Sequence, residues 1–126
     1  MYETPAPFTY RDAYALAPDM ADELYDVMQL QAHAGDHTAD SPEKREFLLR
    51  RAAIYDRYAG GPDAPQWKID ADSEAIHSAV QLFDFDKRHH MGGSHYDVDH
   101  EVWKEQGLRA YVRQEYVTWL TARTEG

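Results

Sequence analysis

Apolar positions along this chain recur at intervals of three and four, the period of an amphipathic helix, with no sustained strand-like alternation. Met20, Leu24, Val27, Met28 and Gln31 trace one face of a first long helix. Asp19 is placed to cap it, and Asp22 and Glu23 stand in its first turn, where the helix dipole favours anions. That helix should end by Gly35. Ser41-Pro42 opens a second, with Ser as N-cap and Pro at the first helical position, and Phe47, Leu48, Ile54, Tyr55 and Tyr58 form its stripe. Gly60-Gly61-Pro62 stops it.

Asp72 can cap a third helix that buries Ala75, Ile76, Ala79, Val80 and Phe83 and frays before Gly92-Gly93. Leu108, Tyr111, Val112, Tyr116, Trp119 and Leu120 share one side of a last helix, with Asp97 or Asp99 as cap and a kink at Gly107. Thr9 begins a short helix over 10–17 that Pro18 stops. Residues 1–8 read as an extended arm, and 60–70 and 90–99 as longer loops. The pattern therefore predicts an all-α fold. It is a single-domain bundle over 1–126 with four main helices and a short extra N-terminal helix.

Charge changes this picture because it is unevenly laid out. The net charge of −10 resolves into −7 over 1–40, +2 over 41–60, −6 over 61–102 and +1 over 103–126. Acidic and mildly basic helices alternate, so neighbours in an up-down bundle complement one another. The excess acid disfavours nucleic-acid binding through overall charge. It suggests instead an acidic helical face for a basic protein partner, or for self-association, built from Asp12, Asp19, Asp22, Glu23 and Asp26.

Cysteine is absent, which excludes disulfides, thiolate metal sites and cysteine nucleophiles. The N-terminus has neither a basic region nor an apolar stretch of signal-peptide length, and no run is long enough to span a membrane. The expectation is a cytoplasmic protein. No phosphate loop, dinucleotide fingerprint or serine-hydrolase elbow occurs.

One cluster could carry metal chemistry. His89, His90, His95, Asp97, Asp99 and His100 fall within twelve residues, and His33 and His37 form a second pair. Imidazoles and carboxylates are the ligands left for Zn²⁺ or another first-row divalent metal when thiols are missing. The spacing matches no metal motif, and Glu74-Ala-Ile-His77 is half of the paired signature a di-iron bundle needs. On the last helix Arg109, Arg113 and Arg123 interleave with Tyr111, Tyr116 and Trp119, a composition that can stack on and neutralise nucleic acid.

Three functions follow as expectations. The first is a non-catalytic helical interaction or regulatory protein using acidic faces. The second is a metal-binding helical protein, with a metal-dependent enzyme among its forms. The third is a nucleic-acid-associated factor.

Overall fold

A computed structural model describes residues 8–34, 42–60 and 69–125. Six helices and no strand occur among the described residues: α1 (Tyr10–Tyr14), α2 (Met20–Ala34), α3 (Pro42–Ala59), α4 (Ile69–His89), α5 (Val102–Gln106) and α6 (Leu108–Glu125). The all-α class and the four long helices are as the periodicity implies. The last helix is in two pieces. Gly107 adopts φ +87, so the chain breaks there between α5 and α6 rather than kinking within one helix.

The caps show why the helices begin where they do. Thr9 accepts a hydrogen bond from the Asp12 amide at 3.1 Å, and Asp19 accepts one from the Ala21 amide at 3.1 Å. Asp72 is not a cap, because α4 begins three residues earlier, at Ile69. Neither Asp97 nor Asp99 caps α5. There the Nδ1 of His100 accepts from the Val102 amide at 3.0 Å. Ser41 lies outside the described residues.

Helix α3 is the centre, packing against α2, α4 and α6, while α1 and α5 lie on α6. The core between them is built from Leu49, Ala52 and Ala53 of α3, Ala79, Leu82 and Phe85 of α4, Val102 and Trp103 of α5, and Tyr111, Val112 and Tyr116 of α6. Three stripes differ from the expected ones; on α3, Tyr58 is exposed. On α2 the inward face carries Glu23 and Val27 with Leu30 beside them, and Leu24 and Met28 are exposed. On α4, Leu82 and Phe85 are buried and Ile76 is exposed.

On all three helices charged residues hold inward positions. Glu23, Asp56 and Asp86 are completely buried, and each accepts one tyrosine hydroxyl and at least one guanidinium. Asp56 of α3 receives Tyr14 at 2.6 Å, Arg109 Nε at 2.5 Å, and Arg113 through Nε at 2.9 Å and Nη2 at 3.1 Å. Asp86 of α4 receives both nitrogens of an Arg45 fork at 2.7 Å and Tyr111 at 2.5 Å. Glu23 of α2 receives Arg50 at 3.3 and 3.4 Å and Tyr116 at 3.1 Å. In each set the tyrosine and arginine reach the carboxylate from other helices, so every set ties three or more segments together at one atom group.

A carboxylate out of water is costly unless charge and hydrogen bonds compensate it. The compensation works both ways. Burial pulls the guanidinium groups of Arg45, Arg50 and Arg113 down, and the hydrogen bonds they donate to their carboxylate partners, with the charge of those carboxylates, more than reverse this, so all three lie above the ordinary arginine value. The phenols of Tyr14, Tyr111 and Tyr116 are pushed well up, first by burial and then by the neighbouring carboxylate charge and hydrogen bonds.

Two outcomes follow. Asp56→Asn leaves Arg109 and Arg113 without their shared counter-charge and should cost about 3–5 kcal/mol in urea unfolding. A loss under about 1 kcal/mol would show that Asp56 does not carry the junction. The raised phenols also set an alkaline limit. The fold keeps Tyr14, Tyr111 and Tyr116 neutral above their ordinary value of 10.0, so their stabilisation is complete below pH 10 and declines as pH rises toward their folded values. Phenolate absorbance from these three should therefore appear only together with loss of helical circular dichroism. Independent titration of all nine tyrosines around pH 10 would contradict this.

Candidate interaction surface and the polar loop

The five carboxylates expected to form an acidic face separate into two groups. Asp12, Asp19 and Asp22 are exposed, and Asp26 is half-exposed while reaching Arg50 at 3.3 Å. Glu23 does not belong to the surface at all. It is consumed by Arg50 and Tyr116, and it faces inward because it stands four residues, about one turn, before the buried Val27 on the core side of α2.

The sequence reading missed what lies beside the exposed carboxylates. Ala21, Leu24, Tyr25 and Met28 fall within about 100° of the α2 circumference, on the side away from Glu23 and Val27. Leu24 is 48% exposed, Tyr25 63% and Met28 59%. Asp22 and Asp26 form the adjoining edge, one turn apart. No lysine or arginine occurs on α2. This helix thus has two apolar stripes, one packed on α3 and one facing solvent beside carboxylates. The signal was present in the sequence as the pair Leu24 and Met28, which the sequence reading had assigned to the packed side.

The His/Asp cluster does not converge. Among the described residues no group of three or more His, Asp or Glu side chains is placed to hold a metal ion. Each member has its own occupation. His89 packs against Phe85 at 4.4 Å between ring centroids, and His95 meets Phe8 edge-on at 4.9 Å. His100 caps α5 and packs against Tyr96 at 4.6 Å. His90 is exposed at φ +56 in the turn that ends α4. The Asp97 carbonyl accepts from Trp103 Nε1 at 2.8 Å, and Asp99 lies 3.8 Å from Lys87. His37 is outside the described residues, and α2 ends one residue after His33.

The loop after α4 is nevertheless well anchored, by Glu115 and Gln114 of α6. Glu115 is buried and accepts from the Ser94 amide at 2.9 Å, the Ser94 hydroxyl at 2.8 Å and Arg45 at 3.0 Å. Gln114, also buried, accepts from the Tyr96 amide at 2.8 Å and donates to the Tyr96 carbonyl at 3.0 Å. Gly92 crosses directly over the Tyr111 hydroxyl and the Asp86 carboxylate with φ +75, and a Cβ there would collide with both. The loop is a lid on the Asp86 junction, which explains its polar composition without a ligand.

Most of the arginine and aromatic residues of α6 turn inward, while Arg123 is exposed and lies 5.1 Å from the Trp119 ring centroid. Arg109 and Arg113 are spent on Asp56, and Arg109 further reaches Asp72 at 2.7 Å and the Gly60 carbonyl at 2.7 Å. Tyr111 and Tyr116 are fully buried, and Trp119 is covered by the Arg50 guanidinium at 4.8 Å from its centroid. His77 is exposed and lies 3.3 Å from Gln81 Nε2, with no second Glu-His pair beside it among the described residues.

No helix among the described residues is long and apolar enough to cross a membrane. Comparison with family models, with curated proteins and with solved structures finds no match to this chain.

Two glycine substitutions measure the lid. Gly92→Ala and Gly107→Ala both place a Cβ at positive φ, but Gly107 has open space around it. Gly107→Ala should cost about 1 kcal/mol from backbone conformation alone. Gly92→Ala should cost at least about 2 kcal/mol more, because the Asp86 junction must open. Equal midpoints in urea for the two variants would show that Gly92 does not seal that junction.

Proposed function

We propose that this chain is a small helical interaction protein whose α2 outer face receives a basic, amphipathic segment of a partner protein. The observation that carries the reading is the exposed strip Leu24, Tyr25 and Met28 on a helix that bears carboxylates and no cation. An amphipathic helix already packed through one stripe gains nothing in its own fold from a second, while recognition in a groove or along a helix face uses residues at that spacing. Tyrosine and methionine are side chains that interfaces favour.

Electrostatics supplies the preference for a basic partner. The four buried carboxylates Glu23, Asp56, Asp86 and Glu115 are matched by Arg45, Arg50, Arg109 and Arg113 inside the bundle. These eight charges cancel one another, so the net charge of −10 is carried by the rest of the chain. Asp12, Asp19 and Asp22 are part of that surplus, and their field favours approach of a cationic segment and disfavours a second acidic copy.

A photo-crosslinking amino acid placed at Tyr25 in the full chain tests this, with the exposed position Glu74 as control. Tyr25 should give a discrete adduct in extract of the native cells, absent from the Glu74 sample, and its crosslinked segment should be lysine- or arginine-rich. Met28→Lys should reduce the adduct at least about tenfold, because it places a charge in an apolar contact. The same products from both positions, or a captured segment without basic residues, would end the reading. Capture of the chain itself would replace the basic partner by self-association.

A further inference from the structure

Arg45, Arg50, Arg109 and Arg113 each meet a buried carboxylate, and two other half-buried arginines of α3 do not: Arg57 gives its Nη2 to the Pro18 carbonyl at 2.8 Å and leaves Nη1 without an acceptor, and Arg51 lies against α4. Arg51 is half-buried, and its Nη2 bonds to the neutral carboxamide oxygen of Gln81. It has no carboxylate partner among the described residues. Its Nε is sealed from solvent without an acceptor. The guanidinium lies 5.0 Å from the centroid of Phe47, which holds it in place. An amide oxygen compensates a buried cation less well than a carboxylate does. Consistent with this, burial pulls the Arg51 guanidinium below its ordinary value, and the more distant charges of Tyr55 and Glu74 offset that only in part.

Arg51 also lines a groove of about 390 Å³ between α3 and α4. The groove has an apolar floor of Phe47, Leu48 and Phe85, all nearly buried, and a cationic rim where Lys44 and Arg88 join Arg51. Asp84 is the one acidic residue lining it. On a chain with ten surplus negative charges, three cations around one apolar trough are a local reversal of sign.

We propose that the α3–α4 groove binds an organic oxyanion with a flat apolar body, with the Arg51 guanidinium as its anion ligand. The anion head, a carboxylate or a phosphate ester, meets Arg51 at the rim. Its apolar body lies on Phe47, Leu48 and Phe85. The ligand supplies the counter-charge that Arg45, Arg50, Arg109 and Arg113 obtain from the chain itself. Arginine is suited to this because its donors match either head group. This site is distinct from the α2 face and stands or falls independently of it.

The test is titration of the full-length ¹⁵N-labelled chain with benzoate, phenyl phosphate, inorganic phosphate and benzyl alcohol. At least one of the two aromatic anions should shift the amides of 47–51 and 81–88 saturably by about 10 mM, and the better of the two identifies the head group. Inorganic phosphate and benzyl alcohol should each bind at least about tenfold more weakly, since one lacks the apolar body and the other the charge. Arg51→Gln should weaken the aromatic anion at least about tenfold. Arg88→Glu, at an exposed position, should weaken it severalfold and remains decisive if Arg51→Gln does not fold. No saturation by either aromatic anion, shifts centred elsewhere, or unchanged affinity in Arg88→Glu would overturn the proposal. So would inorganic phosphate or benzyl alcohol binding as well as the aromatic anions.

Discussion

Asp56 has no contact with water, and its charge is held there by two guanidinium groups and a phenol arriving from α6 and α1. Much of the architecture depends on that arrangement. Arg109 and Arg113 are one helical turn apart, so both can reach Asp56 only with α6 in a single rotation and register against α3. In that rotation Tyr111 falls toward Asp86 and Tyr116 toward Glu23, which fixes α4 and α2 in turn. Apolar packing alone would tolerate small slides of one helix past another. A buried carboxylate tolerates none that leaves it unpaired, because the cost of an uncompensated charge exceeds that of an imperfect hydrophobic contact.

Repetition of the same chemistry three times gives α3 its central place. It carries Arg45, Arg50 and Asp56 along its length, so it donates twice and accepts once, to α4, α2 and α6 respectively. These are junctions between helices rather than decorations on a core. They also account for the alternation of acidic and basic segments along the chain: the complementarity between neighbouring helices is realised inside the bundle, at atoms shielded from salt, and not across its surface.

Helix existence was legible because caps and apolar periods are local. Thr9, Asp19, Pro42 and Gly60 act at the ends where their chemistry places them. Face assignment failed on α2, α3 and α4, each of which buries a charged residue. A stripe drawn through apolar residues on α2 takes Leu24 and Met28 and leaves out Glu23, because hydropathy assigns every carboxylate to water. The partner that makes Glu23 an interior residue is Arg50, twenty-seven positions away, and no local pattern joins them. The His/Asp cluster misled for a related reason. Spacing brings six residues of two ligand types into one short segment, but His95, His89 and His100 pack against Phe8, Phe85 and Tyr96. The loop's real anchors, Gln114 and Glu115, sit on α6 within a stretch that reads as ordinary helix surface.

The buried pairs also decide what remains for the surface. With Arg45, Arg50, Arg109 and Arg113 committed to buried carboxylates, the partly exposed acids they still reach are Asp26, Glu46 and Asp72, and Asp12, Asp19 and Asp22 are not among them. Against that background two places stand apart for opposite reasons. The outer stripe of α2 is apolar where a helix edge should be polar, yet it lies within the prevailing acidic field. The α3–α4 groove is cationic where the field is negative, and its central arginine has no acid of its own. Arg51 occupies the position immediately after Arg50, so the two neighbours point about 100° apart around α3. One is fully compensated by Glu23, Asp26 and Glu46, and the other meets only an amide. The same helix therefore contains both the rule of the interior and its exception, and the exception opens onto solvent through a groove large enough to admit the missing charge from outside.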